Sequence, residues 1–190
     1  MIILITGTPG TGKTTITPLL GKTIGCRVID LNKLVDEKHL YTGVDIEKGY
    51  KVVDIDALIQ ELRKIITTEK ISYDENEEIP EEGPSIIIEG HLSHYFPLAD
   101  FVIVLRTEPN ILRDRLQKRD WEDPKIRENL QAEALDICTW EAYQTHGSKV
   151  HEVNTSSITP EEAVDIIKMI ISKEESLPPG NIDFSEFLKR

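Results

Sequence analysis

Apolar residues recur along the chain in five short runs, each bounded by turn-forming residues. The runs cover residues 2–6, 27–30, 86–90, 101–105 and 149–153. Strands that are apolar on both faces are typical of a parallel sheet whose two faces are both covered. The runs therefore predict five strands of one buried parallel sheet.

Helical periodicity fills the segments between these runs. Apolar positions recur at helical spacing after Gly12 and again over residues 56–66. Asp123 and Pro124 predict the N-cap and first residue of a helix that continues to Gly147. Its apolar positions are Ile126, Leu130, Ile137 and Trp140. The alternation of strands and helices predicts an α/β fold with helices on both faces of the sheet.

The last helix has a complete start signal, and two segments lie outside the alternation. Thr159, Pro160 and Glu162 form a capping-box pattern ahead of that helix. Residues 69–85 are acidic and rich in proline, which predicts a solvated surface loop. The C-terminal tail carries an apolar stripe, Phe184, Phe187 and Leu188. We expect this stripe to pack on its own domain rather than on a partner helix.

The length and charge of the chain restrict the number of domains and the classes of partner that it can bind. A chain of 190 residues fits one domain, and its 34 acidic against 22 basic residues give a formal charge of −12. That charge repels nucleic acid and anionic membrane, so any RNA contact is expected to be indirect. No apolar run approaches the length of a membrane span, and no targeting leader precedes the first strand, so we expect a cytoplasmic protein. Cys26 and Cys138 are far apart in sequence and are expected to be small core residues.

The first strand leads directly into GTPGTGKTT, residues 7–15. This stretch satisfies the pattern G-x-x-x-x-G-K-[ST] at every fixed position, between a predicted strand and a predicted helix. Glycines allow backbone N–H groups to turn inward and bind phosphate at the positive end of the helix. Lys13 is expected to reach the β- and γ-phosphates, Thr14 to ligate Mg²⁺, and Thr15 to lie near the α-phosphate.

Arginines concentrate further along the chain. Five of the eight fall between residues 106 and 127, and guanidinium groups bind phosphate oxygens in pairs of hydrogen bonds. Arg115 and Arg119 are four residues apart, which predicts one helix face beside a loop that closes over the phosphates. The alternative is a solvated helix whose arginines pair with Asp114, Glu122 and Asp123.

A third candidate element is IIIEGHLSHYFP, residues 86–97. Glu89 ends a predicted strand and could hold Mg²⁺ through water, while His91 could orient the attacking group. The alternative for His91 is a hydrogen-bonded core histidine. His94 forms an H-x-x-H pair with His91, but no further metal ligands lie nearby in sequence.

These motifs together resemble the atypical adenylate kinases of the nuclear, or isoenzyme six, type, in an archaeal form. The resemblance rests on GTPGTGKTT, GHLSHYFP, VIVLRT and the block RLQKRDWEDPKIRENLQAE at 115–133. It covers residues 1 to about 172. The resemblance implies a P-loop nucleoside-monophosphate kinase fold with an acceptor-binding region at about 31–66, a lid at about 115–127 and a tail at 173–190.

The resemblance also implies an activity, a site and partners. The implied reaction is transfer of the γ-phosphoryl group of MgATP to AMP, with a slower ATPase activity. The implied partner is the small-subunit platform ribosomal protein numbered eleven, in the last cleavage of small-subunit rRNA. By position, the implied ATP phosphate site is Gly10, Thr11, Gly12, Lys13, Thr14 and Thr15. Arg115 and Arg119 become lid arginines, Arg106 a phosphate-side arginine, and His91 the histidine associated with hydrolysis.

The sequence departs from that family pattern at three places. Glu89 and His94 stand where aspartates are common, and the acceptor helix has Asp36 and Lys38 where an arginine for the AMP phosphate is expected. Slow transfer to AMP is therefore expected. Two alternatives remain open at this stage: a metabolic small-molecule or nucleotide kinase with no ribosomal role, and a nucleotide-gated binding protein with incidental catalysis. Residues 154–156 are either adenine contacts or a bare connecting loop.

Overall fold

A computed structural model describes residues 1–45, 50–71 and 85–189. Its strands are β1 (Ile2–Thr6), β2 (Arg27–Asp30), β3 (Tyr41–Val44), β4 (Lys51–Val53), β5 (Ile86–Glu89), β6 (Phe101–Arg106) and β7 (Val150–Asn154). Its α-helices are α1 (Lys13–Ile24), α2 (Leu31–Lys38), α3 (Ile55–Ile71), α4 (Pro109–Gln117), α5 (Asp123–Ala134), α6 (Ile137–His146) and α7 (Pro160–Ile171). The loop predicted over residues 69–85 starts too early, because α3 continues to Ile71. Residues 72–84 of that segment lie outside the described residues.

The main sheet confirms the predicted architecture. Its five strands run in the order β2-β5-β1-β6-β7 within the described residues, and every neighbouring pair is parallel. Each predicted apolar run supplies one of these strands. Because β1 lies at the centre, the loop that follows it is placed between the carboxyl ends of its neighbours, where ligands bind in open α/β sheets.

Two apolar layers cover the sheet, one on each face. Alternate residues of the central strands point to opposite sides, so Leu4 and Val104 face the layer beneath α2, α3 and α6. Ile3, Ile5 and Leu105 face the layer formed by α1 and α7. A third, smaller cluster lies between α4 and α5. The covering of both faces explains why the strands read as continuous apolar runs.

Two helical predictions need correction. The helix expected from Asp123 to Gly147 is interrupted, because Asp136 adopts a left-handed conformation with φ 56° between α5 and α6. The N-cap of α5 is Glu122 and not Asp123. Ile137 and Trp140 were expected on the apolar face, yet they are 38% and 62% exposed. The break rotates α6 relative to α5, so one helical period does not continue across it.

Other local predictions are confirmed. The capping box is complete, with Thr159 accepting from the Glu162 N–H and Glu162 accepting from the Thr159 N–H. The tail packs on its own domain, since Phe187 contacts the cluster between α4 and α5, although Leu188 is 42% exposed. Both cysteines are unbridged, and each packs at the margin of an apolar layer. Within the described ranges, no helix is long and apolar enough to cross a membrane.

The region predicted to bind the acceptor contains a hairpin that periodicity did not reveal. Strands β3 and β4 pair antiparallel, apart from the main sheet, between α2 and α3. Asp54 ends the hairpin and caps α3, accepting from the Ala57 N–H at 3.0 Å. The region predicted to bind the acceptor therefore consists of a helix, a two-stranded ribbon and a helix, which pack on one apolar layer.

Candidate active site

The loop after β1 is held open by three glycines in the left-handed region. Gly7, Gly10 and Gly12 have φ of 131°, 96° and 104°, which side-chain-bearing residues rarely adopt. A Cβ at Gly7 would clash with the backbone carbonyl oxygen of Leu105, so this turn also requires the absence of a side chain. Gly12 is the N-cap of α1. The loop therefore opens at the positive end of a helix, as an anion site requires.

Lys13 lies across this loop. Its Nζ donates to the carbonyl oxygens of Gly7 at 2.6 Å and Thr8 at 3.0 Å, and the residue is 8% exposed. Burial lowers the pKa of Lys13, and Arg119 lowers it further, while Cys138 and the nearby carboxylates oppose that shift. The ammonium is thus held at the floor of the loop. The side chains of Thr14 and Thr15 are exposed on the first turn of α1.

Glu89 ends β5, next to the phosphate loop. It is 4% exposed, and its Oε2 has no hydrogen-bond partner among the described residues. Burial raises the pKa of Glu89, Asp30 adds to the rise, and Lys13 opposes it. A buried carboxylate oxygen without a partner, close enough to Lys13 to be coupled to it, fits a hard cation such as Mg²⁺. The exposed hydroxyl of Thr14 fits the same ion.

The protein itself supplies few ligands for such an ion. No group of three or more histidine, cysteine, aspartate or glutamate side chains that could hold a metal occurs in the described part of the chain. Mg²⁺ in nucleotide sites keeps several waters and takes one or two protein ligands plus phosphate oxygens. One hydroxyl and one carboxylate are therefore the donor set expected for Mg²⁺ bound with a nucleotide.

His91 follows β5 by two residues and is partly buried. Burial, with smaller contributions from Lys13 and His94, lowers the pKa of His91 to about 4. Its imidazole is therefore neutral at pH 7 and can accept or donate a hydrogen bond. In the described residues no hydrogen bond to this ring occurs, so it is not the hydrogen-bonded core histidine of the alternative interpretation.

His94 has a structural role, because both of its ring nitrogens form hydrogen bonds within the protein. Its Nδ1 lies 2.8 Å from Thr6 Oγ1 and its Nε2 lies 3.1 Å from Glu141 Oε2. The carboxylate can only accept, so Nε2 carries the proton and Nδ1 accepts from the Thr6 hydroxyl. His94 thus ties α6 to the residue that precedes the phosphate loop, and both its nitrogens are engaged within the protein.

The structure separates the two lid arginines. Helix α4 ends at Gln117, so Arg119 lies beyond the helix, and the prediction of one shared helix face is wrong. Arg115 donates to the carbonyl oxygen of Gly10 at 3.5 Å and to that of Thr155 at 2.7 Å. Arg119 is exposed, and its charge lowers the pKa values of both Lys13 and Arg115. Arg115 therefore faces the phosphate loop.

The alternative of a solvated, paired helix is not what the structure contains. Neither arginine forms an ion pair with Asp114, Glu122 or Asp123 within the described ranges. A cation without a paired carboxylate beside an anion site remains available for phosphate. The predicted lid, 115–127, therefore lies beside the loop, but its two arginines occupy different local structures.

Arg106 does not fit the predicted phosphate-side role. It is 1% exposed and forms ion pairs with Glu133, Glu152 and Asp136. All five of its N–H groups are donated within the protein, to these carboxylates, to Thr139 Oγ1 and to the Glu133 carbonyl. Burial lowers the pKa of Arg106, but the three carboxylates outweigh that effect and raise it. Arg106 is thus a buried structural cation.

Glu133 is a residue that sequence reasoning passed over. Its carboxylate accepts from Arg106 Nε at 2.9 Å, from the Thr107 N–H at 2.9 Å and from Thr8 Oγ1 in the phosphate loop. It thereby joins α5, the end of β6 and the loop. The available signal was an acidic residue on the apolar face of α5, seven positions after Ile126.

The loop after β7 completes the edge of the site. Thr155 is 3% exposed and its hydroxyl donates to the carbonyl oxygen of Thr11 at 2.9 Å. Asn154 Oδ1 accepts from the N–H and hydroxyl of Ser156. This loop is therefore fastened to the phosphate loop, while an adenine contact from it stays a prediction.

Comparison with known proteins places this geometry in a family. A family model described as an AAA domain matches residues 3–136. A "Putative adenylate kinase" of Methanothermobacter thermautotrophicus is 42% identical over 187 residues, covering 98% of this chain and 99% of that protein. The chain belongs to this archaeal family. Proteins with the same description from Methanosarcina mazei and Pyrococcus furiosus are 41% and 36% identical, covering 97% and 98% of this chain and 97% and 92% of their own.

Solved structures agree with the fold. Shikimate kinase from Aquifex aeolicus superposes with a TM-score of 0.55 at 14% identity, over 92% of this chain and 98% of its own. A second shikimate kinase, from Bacteroides thetaiotaomicron, gives 0.51 at 17% identity, over 90% and 98%. Identities this low show the P-loop kinase fold and nothing about the acceptor. The archaeal match, by contrast, extends past residue 172, so the tail belongs to the region shared with the family.

Proposed function

We propose that this protein is an ATP-dependent nucleoside-monophosphate kinase that converts MgATP and AMP into two molecules of ADP. The proposal rests on one observation: the buried Glu89 Oε2, which has no hydrogen-bond partner among the described residues, lies near the P-loop and Lys13. That combination suits a nucleotide triphosphate bound with Mg²⁺, and the family's adenylate kinase description favours AMP as the acceptor.

Each side chain has a defined part in this reaction. An oxygen of the acceptor phosphate attacks the γ-phosphorus of ATP. The bond between that phosphorus and the oxygen bridging the β- and γ-phosphates breaks, and ADP leaves. Lys13 neutralises charge on the β- and γ-phosphates, and Arg115 and Arg119 do so from the lid side. Thr14 and Glu89, the latter through water, would hold Mg²⁺, which would offset the negative charge of the phosphates.

The neutral imidazole of His91 supports a second, slower reaction, hydrolysis of ATP. A neutral ring can accept a hydrogen bond from water and orient it toward the γ-phosphorus. The pKa of about 4 keeps that form populated throughout the physiological range. We therefore propose ATPase activity as the side reaction that occurs when no acceptor is bound.

Transfer to AMP is expected to be slow because two lysines of the acceptor region are paired with carboxylates. Lys38 lies 3.2 Å from Glu61, and Lys51 lies 2.6 Å from Asp36. A lysine held by a carboxylate offers an acceptor phosphate less charge than a free arginine does. Weak binding of AMP follows from this pairing.

The test is a nucleotide assay that separates ADP made by transfer from ADP made with free phosphate. We expect transfer selective for AMP over CMP, UMP and GMP, with a slower release of phosphate from MgATP. Lys13→Ala should abolish both reactions, whereas Lys22→Ala, exposed on the same helix, should leave them unchanged. Substantial turnover in Lys13→Ala would reject the site, and fast selective transfer to another acceptor would favour a metabolic kinase.

A role in maturation of the small ribosomal subunit is the second part of the proposal. It is supported by the resemblance of residues 115–133 to the nuclear-type family and by the charge of −12, which suits a basic partner such as platform ribosomal protein eleven. Contact with pre-rRNA would then be indirect. In a nucleotide-gated protein, affinity for that partner would change on addition of ATP. Equal affinity with and without nucleotide, measured by titration calorimetry, would exclude gating.

A further inference from the structure

The C-terminal tail returns to the edge of the main sheet after α7. The N–H of Leu177 donates to His151 Nδ1 at 3.1 Å, and its carbonyl oxygen accepts from the Glu152 N–H at 2.8 Å. Three residues later, the N–H of Gly180 donates to Glu152 Oε2 at 3.0 Å. Because β7 is the outer strand of the main sheet, these bonds fasten the tail along the outer edge of that sheet.

Beyond this anchor the tail reaches the lid. The ring of Phe184 lies 5.3 Å from the guanidinium of Arg106. Phe187 packs on a four-residue apolar cluster between α4 and α5, and its ring lies 5.5 Å from the guanidinium of Arg113. We call this set the lid cluster; its buried members are Leu112, Leu116, Ile126 and Leu130.

The lid cluster fixes the helix that carries Arg115. Arg115 shares the nine-residue helix α4 with Leu112 and Leu116 of the cluster, so a side chain that packs on the cluster also affects the position of Arg115. The cluster is separate from the two layers of the main core, and four buried side chains are a small core for two helices. An apolar side chain that packs on the cluster from outside the lid therefore matters for its geometry.

We propose that Phe187 is a positioning residue for ATP binding. By packing on the lid cluster from the tail, it holds α4 at the distance at which Arg115 meets the Gly10 and Thr155 carbonyl oxygens and, with them, the phosphates of MgATP. The proposal rests on the proposed function, in that Arg115 acts on those phosphates. It assigns to residues 173–189 a part in the nucleotide site that the family resemblance does not assign.

The chain offers both a matched control and a reporter. Leu188 follows Phe187 on the same turn but is 42% exposed, so Leu188→Ala removes an apolar side chain without touching the lid cluster. Trp121 packs against the cluster, whereas the other tryptophan, Trp140, is 62% exposed. In a Trp140→Phe background, fluorescence therefore reports the lid alone.

The experiment measures ATP affinity by Trp121 fluorescence and the steady-state constants for ATP in the same background. Phe187→Ala should weaken ATP binding about tenfold and raise KM by a similar factor, and kcat should fall as well, because Arg115 also offsets phosphate charge during transfer. Its Trp121 emission without nucleotide should shift to longer wavelength. Phe187→Leu should restore affinity to within about twofold, and Leu188→Ala should match the parent protein.

The outcomes separate this inference from the proposed function. Unchanged ATP affinity in a folded Phe187→Ala protein would overturn the inference, as would an equal loss in Leu188→Ala. A fall in kcat and in thermal stability with constant KM would mean that Phe187 is only structural. Should Phe187→Ala not fold, Phe187→Val provides a smaller truncation with an expected loss of about threefold. Absence of phosphoryl transfer in the parent protein would instead reject the proposed function, because the fluorescence titration requires no turnover.

Discussion

The substitution Arg106→Lys tests whether Arg106 is a buried structural cation or a ligand of the nucleotide phosphates. The substitution keeps the positive charge that a phosphate-side role needs. It removes the fork that donates five hydrogen bonds to Glu133, Glu152, Asp136 and Thr139. A lysine has three donors on one nitrogen, so at least two of the five bonds must be lost.

The geometry sets the expected size of the effect. Hydrogen bonds to charged groups contribute about 1.5–3 kcal/mol each, and disruption of a buried ion pair costs about 3–5 kcal/mol. Because lysine leaves the carboxylates partly compensated, we expect the lower part of that range, about 3 kcal/mol of unfolding free energy. For a domain of this size, that corresponds to a fall of roughly 6–12 °C in Tm.

The assay is urea unfolding followed by circular dichroism, with ATP affinity measured on the folded protein. Arg127→Lys is the control, since Arg127 is exposed on α5 and its replacement should change stability by less than about 0.5 kcal/mol. We expect Arg106→Lys to lose stability and to bind ATP within about twofold of the unaltered protein. A loss of stability below about 1 kcal/mol together with a tenfold weaker affinity for ATP would refute the structural role and restore the phosphate-side prediction.

Two further predictions concern the other end of the site. Because the pKa of His91 is about 4 in the folded protein, this side chain is protonated only in the unfolded chain between pH 6.5 and 4. The free energy of unfolding therefore falls as the pH drops through that window. Between pH 7 and 4.5, urea unfolding should therefore show about 2 kcal/mol more loss in the unaltered protein than in His91→Gln; equal losses would mean an ordinary pKa. Glu89→Gln should raise the Mg²⁺ concentration for half-maximal transfer about tenfold without weakening ATP binding in EDTA, and an unchanged Mg²⁺ titration would remove Glu89 from the metal site.

The elements that could be predicted from the amino-acid sequence alone are those whose signals are local. Strands buried on both faces have to be continuously apolar, so five runs located the five strands of the sheet. The phosphate loop could be recognised because its glycines, Lys13 and Thr14 lie at fixed spacing within one short stretch of the chain. The capping box at Thr159 was legible for the same reason. In each case the physical cause acts within a few residues of the chain.

The roles of residues whose partners are distant in sequence could be assigned only from the three-dimensional structure. Arg106 was read as a phosphate ligand because nothing nearby reveals that Glu133, Asp136 and Glu152 converge on it from α5, the α5–α6 break and β7. The break at Asp136 and the end of α4 before Arg119 are likewise set by packing, which overrides a continuous helical period. The role of a charged side chain depends on the groups that the fold brings within hydrogen-bond distance of it. Those groups come from segments that are distant in sequence, so the local sequence does not reveal the role.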